Sequence, residues 1–232
     1  MNKRTRQLSS LLVIWGACAS LPAWADAIQR GQAIAQQGNG QGAIACLSCH
    51  GPQGEGNAAG GFPRLAGLPA GYLSHQLRSY RDGTRQNPMM QPFALALTDE
   101  DIQAVSAYYA SLEGEDVNLP TSYQAAAPEN TAEWLAERGD WENTIPACNQ
   151  CHGPNGQGVG DTFPPLAGQH ASYLAAQLNA WRNGTRSNDP NGLMQGIAER
   201  LSEEQIGLIT AYYATLPEQL SANAAAGQEE TP

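Results

Sequence analysis

Lysine is almost missing from this 232-residue chain: Lys3 stands alone, and lysine and arginine together number 12 against 22 acidic residues. The resulting formal charge of −10 excludes generic affinity for nucleic acids or anionic membranes, since both are polyanions. Long hydrophobic runs are missing too; the apolar stretch at 11–21 is too short to span a bilayer comfortably. No segment shows convincing strand alternation, which argues against a sheet protein. Cysteine is scarce at five residues, but four of the five fall in two tight pairs.

The first 25 residues read as an export leader. Lys3, Arg4 and Arg6 precede the apolar run, and Ala23-Trp24-Ala25 supplies a small-x-small cleavage site. Cleavage there leaves nine arginines, no lysine and a charge of −13. An exported chain normally pairs its cysteines as disulfides. Here the order argues otherwise.

Cys46-Leu47-Ser48-Cys49-His50 and Cys148-Asn149-Gln150-Cys151-His152 each set two thiols one helical turn apart with an imidazole next to the second. Disulfides have no use for that histidine. A zinc site would lack a fourth ligand near by, and a thioredoxin-like pair would need a βαβ context that is absent. The spacing fits covalent tethering of a haem through its two vinyl groups, with the histidine on the iron. The expected cofactors are therefore two haem c groups, attached at Cys46 and Cys49 and at Cys148 and Cys151.

The two motifs belong to an internal duplication. FPRLAGLPAGYLSHQLRSYRDGTR from Phe62 matches FPPLAGQHASYLAAQLNAWRNGTR from Phe163 at more than half of its positions. Each copy predicts three amphipathic helices joined by Gly, Pro and Asn loops. The first covers 27–37, or 132–138, with small Gly31 and Ala35 allowing close approach of another helix. The second starts after Pro69 and stops by Gly83, with its copy at 171–181. The third opens on a capping-box pattern, Thr98 with Asp101 or Ser202 with Gln205, and ends near Leu112 or Leu216. Units this small and this rich in glycine bury little apolar surface alone. A porphyrin at the centre would supply the missing core.

A haem iron needs a second axial ligand. His75 and His170 are unsuitable because the other copy places Ala176 and Pro69 at their positions, so both read as ordinary surface histidines. The second copy contains one methionine, Met194, and aligning the third helices backwards matches it with Met90. Met90 is thus preferred over its neighbour Met89. Histidine–methionine ligation of both irons leaves no open coordination position, which points to electron transfer and away from enzymatic bond making. Two roles stay open for Arg81, Arg85, Arg182 and Arg186: neutralising haem propionates, together with Tyr80 and Trp181, or forming a solvated basic helix end. A backbone carbonyl near Pro63 or Pro164 is the expected acceptor for each proximal ring N–H.

The paired CxxCH-GP motifs, the FPxLAG segments, the YLxxQLxxxRxGxR helices and the late methionines resemble the duplicated class I cytochromes c, most closely the dihaem cytochrome c4 group. The resemblance implies an all-α fold of two tandem class I cytochrome c domains, 26–117 and 129–220, with a linker at 118–128 and a flexible tail at 221–232. It also implies His50 with Met90 and His152 with Met194 as the iron ligands of a periplasmic monomer. Such proteins pass electrons between redox partners, commonly from a bc1 complex towards a terminal oxidase, and the mature chain keeps no membrane span. With no lysine, the lysine-ringed docking face of many cytochromes c cannot form. Two other functions compete: a dihaem subunit of a dehydrogenase such as a sulfide-oxidising flavocytochrome, and a dihaem peroxidase. Residues 26–117 carry a charge of −4 and residues 118–232 one of −9, so a basic partner is expected to prefer the second unit.

Overall fold

Pro69 and Gly83 bracket the first helix that the sequence delimits clearly, and the chain uses both. Pro69 sits extended just before the helix, and Gly83 closes it in the left-handed conformation at φ 84°, its N–H bonded to the Ser79 carbonyl. The computed structural model describes residues 21–114 and 127–229, with side chains for 24–114 and 127–217. Among these residues the regular structure is helical, with only isolated bridges in place of strands.

The first copy contains α1 (Leu21–Gln37), α2 (Leu47–His50), α3 (Ala70–Asp82), α4 (Met90–Ala96) and α5 (Asp99–Ser111). The second repeats the plan as α6 (Ala132–Arg138), α7 (Cys148–His152), α8 (Ala171–Arg182), α9 (Leu193–Arg200) and α10 (Glu203–Glu229). The fold is all-α and duplicated, as the repeat predicted. Among the described residues each copy nevertheless has five α-helices where the periodicity gave three. The additions are the single turns bearing the Cys-Cys-His motifs and the short helices bearing the methionines. All four are too short for an amphipathic period to register.

Two boundaries also differ. The described part of α1 reaches back to Leu21, ahead of the expected cleavage site, while most of the expected leader and most of the 118–128 linker lie outside the described residues. α10 continues past Pro217 to Glu229, where the sequence ended regular structure near Leu216. Pro217 has no N–H for the Tyr213 carbonyl, and the Gly168 N–H takes that carbonyl instead at 2.8 Å. The first copy makes the same loop-to-helix bond, Gly67 N–H to Tyr109 O at 3.0 Å.

Within each copy the first and third helices cross closely. A Cβ placed on Gly31 would lie 2.0 Å from the Ala104 carbonyl oxygen, so only glycine permits this approach of α1 to α5. The capping boxes form as expected. Thr98 Oγ1 accepts from Asp101 N–H while Asp101 accepts from Thr98 N–H, and Ser202 and Gln205 repeat the exchange. The duplication has swapped polarity beside them. Asn39 donates to Asp101 at 3.2 Å in the first copy, whereas in the second Gln205 donates to Asp140, the counterpart of Asn39.

The two copies meet through a self-complementary contact. Gln86 N–H donates to Thr185 O and Ser187 N–H to Thr84 O, both at 2.7 Å, and these bonds exchange when the copies are exchanged. This pairing brings Arg85 opposite Arg186. It places α3 and α8, and the cavities beneath them, next to one another.

Candidate haem sites

Each Cys-Cys-His turn forms one wall of a cavity. The four motif cysteines are free and half-buried. Burial pushes the Cys148 thiol up to about 11 and raises Cys46. His50 and His152 are buried, and their rings stand edge-on to Phe62 and Phe163 at 6.3 and 6.1 Å. His50 Nδ1 donates to Pro63 O at 3.0 Å and His152 Nδ1 to Pro164 O at 2.8 Å, the two carbonyls anticipated from sequence. Burial lowers both imidazoles from their ordinary value, and the proline carbonyls only partly oppose it. Each ring is thus held neutral with Nε2 carrying the lone pair, the state a metal ligand needs.

The methionine helices form another wall. Asn87 Oδ1 accepts from the N–H groups of Met89 and Met90, and Asp189 Oδ2 from those of Met194 and Gln195. One Asx side chain therefore accepts from N–H groups at the start of each short helix, a local signal that the sequence of each copy carries. The first cavity, about 270 Å³, is bordered by Cys46, Cys49, His50, Met89 and Met90. The second, about 720 Å³, is bordered by Cys148, Cys151, His152 and Met194. Met89 is 53% exposed, and Leu193, its counterpart, is 44% exposed. Met90 and Met194 are the less exposed member of each pair.

The four arginines separate into two kinds. Arg81 and Arg182 form surface ion pairs with Asp99 and Glu203. Arg85 and Arg186 are each 4% exposed and border the two cavities. Arg85 donates to Gln76, Tyr173 and Gln177, and Arg186 to Gln76, Gln177 and Asn188; among the described residues neither is bonded to a carboxylate. Each also lies over an aromatic ring, Arg85 over Tyr80 at 4.6 Å and Arg186 over Trp181 at 3.9 Å. Burial and the charge of Arg85 pull Arg186 below its ordinary value. Two buried like charges without a carboxylate call for an anion. Orphaned polar atoms tell the same story: Ser106 Oγ in the first cavity, and Trp181 Nε1 and Asp189 Oδ1 in the second, are buried without a partner. An apolar macrocycle with two carboxylate tails fits such cavities. The residues present therefore fit haem c, with the cysteines to hold it and Arg85 and Arg186 to meet its propionates.

His75 and His170 are more than ordinary surface residues. His75 Nε2 bonds to Asn188 O and His170 Nε2 to Glu55 O, each at 3.0 Å and each from one copy to the other. Their different identities in the repeat reflect different places in the contact between copies.

Two regions of the chain, residues 28–113 and 143–217, match the family described as Cytochrome c, and the chain belongs to that family. Within it the duplicated plan is that of a dihaem, cytochrome c4-like protein. The crystal structure of reduced recombinant cytochrome c4 from Pseudomonas stutzeri aligns with a TM-score of 0.67 and 33% identity, over 81% of this chain and 97% of that one. A thiosulfate dehydrogenase electron acceptor from Stutzerimonas stutzeri (strain A1501) is 48% identical over 202 residues, 87% of this chain and 88% of the relative. The structure of thiosulfate dehydrogenase (TsdBA) from Marichromatium purpuratum, in its as-isolated form, aligns with a TM-score of 0.71 and 45% identity over 81% of this chain. This chain spans only 40% of that one. Covalently bound haem c and electron transfer follow from the family. No described helix is long and apolar enough to cross a membrane.

Proposed function

We propose that this chain is a periplasmic electron carrier that accepts single electrons from a sulfur-compound dehydrogenase, of the kind that oxidises thiosulfate, and delivers them to a respiratory acceptor. Its haems are attached at Cys46 and Cys49 and at Cys148 and Cys151, with His50 and Met90 on one iron and His152 and Met194 on the other. The observation that carries this reading is the same arrangement in both copies: a buried, tautomer-fixed histidine on one side of the cavity and a capped methionine helix bordering it. With both iron faces covered, bound substrate has no position to occupy, and what remains is electron exchange through the haem edges. The haem supplies the redox couple. The chain supplies ligands, a water-poor cavity and buried positive charge.

The choice of dehydrogenase draws on the 48% identity to a thiosulfate dehydrogenase electron acceptor, which favours thiosulfate over the sulfide chemistry of a flavocytochrome. The export leader at 1–25 and domains at 26–117 and 129–220 belong to the same proposal. The test is to mix oxidised holoprotein with a catalytic amount of purified thiosulfate dehydrogenase and follow the haem bands. Thiosulfate is expected to reduce both haems at a rate that rises with dehydrogenase concentration. No reduction there, with rapid reduction by a bc1 complex and quinol or by flavocytochrome and sulfide, would assign a different donor.

A further inference from the structure

The two proximal histidines look equivalent, but their acceptor carbonyls do not. His50 donates to the carbonyl of Pro63, and the N–H of that same peptide group belongs to Arg64. Arg64 N–H in turn donates to Gln169 Oε1 of the second copy at 2.9 Å, and Gln169 Nε2 returns a bond to Arg64 O at 3.0 Å. The amide orientation is unambiguous, since a backbone N–H can only donate and a carbonyl can only accept. Both residues are buried, at 6% and 3% exposure.

The second copy lacks both ends of this chain of bonds. Pro165 stands where Arg64 does and has no N–H, and Leu68 stands where Gln169 does. The peptide group behind His152 therefore cannot be polarised from its nitrogen side. The Arg64 guanidinium reinforces the asymmetry by donating to Ala167 O at 2.9 Å and Gly168 O at 3.3 Å, which fixes the loop that presents Gln169.

We propose that Gln169 is a positioning residue for the axial histidine of the first haem, acting across the interface through the 63–64 peptide group, so that the second copy adjusts the reduction potential of the first. A peptide that donates at its nitrogen becomes a better acceptor at its oxygen. A better acceptor draws the His50 Nδ1 proton further from the ring, makes the imidazole a stronger donor to iron, and favours the ferric state. The relay thus lowers the potential of the first haem. It creates a dependence and not a ranking, for the His152 contact is itself the shorter at 2.8 Å against 3.0 Å. Through this relay, the axial histidine of the first haem feels the docking of the two copies and that of the second does not.

The experiment uses the full holoprotein with Gln169→Leu, the residue that the other copy carries at this place. Potentials are read by redox titration and assigned to each haem through its shifted haem-methyl resonances. The His50 and His152 Nδ1–H protons are read in the reduced, diamagnetic state. The potential of the first haem is expected to rise and the His50 proton to move upfield, while the second haem and His152 stay unchanged. Gln169→Glu keeps an acceptor oxygen at the same reach and carries the test if the leucine chain does not retain both haems; it is expected to move the His50 proton downfield and lower the first potential. Unmoved His50 resonances in the chain that folds, or equal shifts at both haems, would overturn the proposal.

Discussion

Replacing Asp101 with alanine probes how the first copy ties its helices together. The carboxylate is 4% exposed and accepts from Arg30 at 2.7 Å, and from Asn39 Nδ2 and Thr98 N–H at 3.2 Å each. Removing it takes an acceptor from Asn39 Nδ2, worth about 0.5–1.5 kcal/mol, and leaves the N–H of the exposed Thr98 to water. Half of the capping box survives, because Thr98 Oγ1 keeps the Asp101 N–H, so the cap loses roughly 0.5–1 kcal/mol. Arg30 is 54% exposed and turns to water, so its ion pair adds little. The sum is about 1–2.5 kcal/mol. With a urea dependence of about 2 kcal/mol per molar, the unfolding midpoint of the holoprotein falls by roughly 0.5–1.2 M. Asp101→Asn keeps an oxygen for Thr98 and is expected to lose less than half as much. Urea titrations followed by far-ultraviolet circular dichroism make the comparison. An alanine variant within about 0.5 kcal/mol of the parent would refute this reasoning. Burial alone would raise the Asp101 pKa, but hydrogen bonds from Arg30, Asn39 and Thr98 outweigh it and hold the group below the ordinary carboxylate range. A pKa depressed in the folded state gives stability that is present above the unfolded value and lost as pH falls through the folded one. The gap between parent and Asp101→Asn should therefore be full at neutral pH and close on strong acidification.

Gly31→Ala forces a methyl group to within 2.0 Å of Ala104 O and 2.8 Å of Tyr108 Cβ, and is expected to cost about 3 kcal/mol or more in a thermal melt of the holoprotein. Met90→Leu should abolish the weak long-wavelength ferric band of one haem and open that iron to carbon monoxide, whereas Met89→Leu should leave both properties unchanged. Arg85→Met removes a buried cation and its bonds to Tyr173 and Gln177 across the interface, with an expected loss of about 3 kcal/mol in urea unfolding. Arg81→Ala, by contrast, breaks only a surface contact to Asp99 and should be silent in the same assay.

The parts that could be read from sequence are those that the duplication states twice. Cys46 to His50 and Cys148 to His152 announce the cofactor because no other chemistry needs that order of residues. Pro69, Gly83 and the Thr98 and Ser202 caps act over a turn or less, so they survive any tertiary context. α4 and α9 are not legible in the sequence because seven or eight residues carry no readable period, although Asn87 and Asp189 accept from N–H groups at their starts. The divided roles of Arg81 and Arg85 depend on which way the strand-like 84–86 segment faces its copy, and only the docked pair of units decides that. The interface functions of His75, His170 and Gln169 were hidden for the same reason. A repeat alignment compares equivalent positions, whereas these residues pair inequivalent ones.

The proposed centre is two covalently held haems, each closed by histidine and methionine. An absorbance-monitored redox titration of the holoprotein tests it most directly when carried out with and without carbon monoxide at neutral pH. Two one-electron transitions are predicted, with the long-wavelength ferric band present at full strength for two haems and no shift of either transition by carbon monoxide. A half-strength band, or stoichiometric binding of carbon monoxide by the reduced native protein, would contradict it.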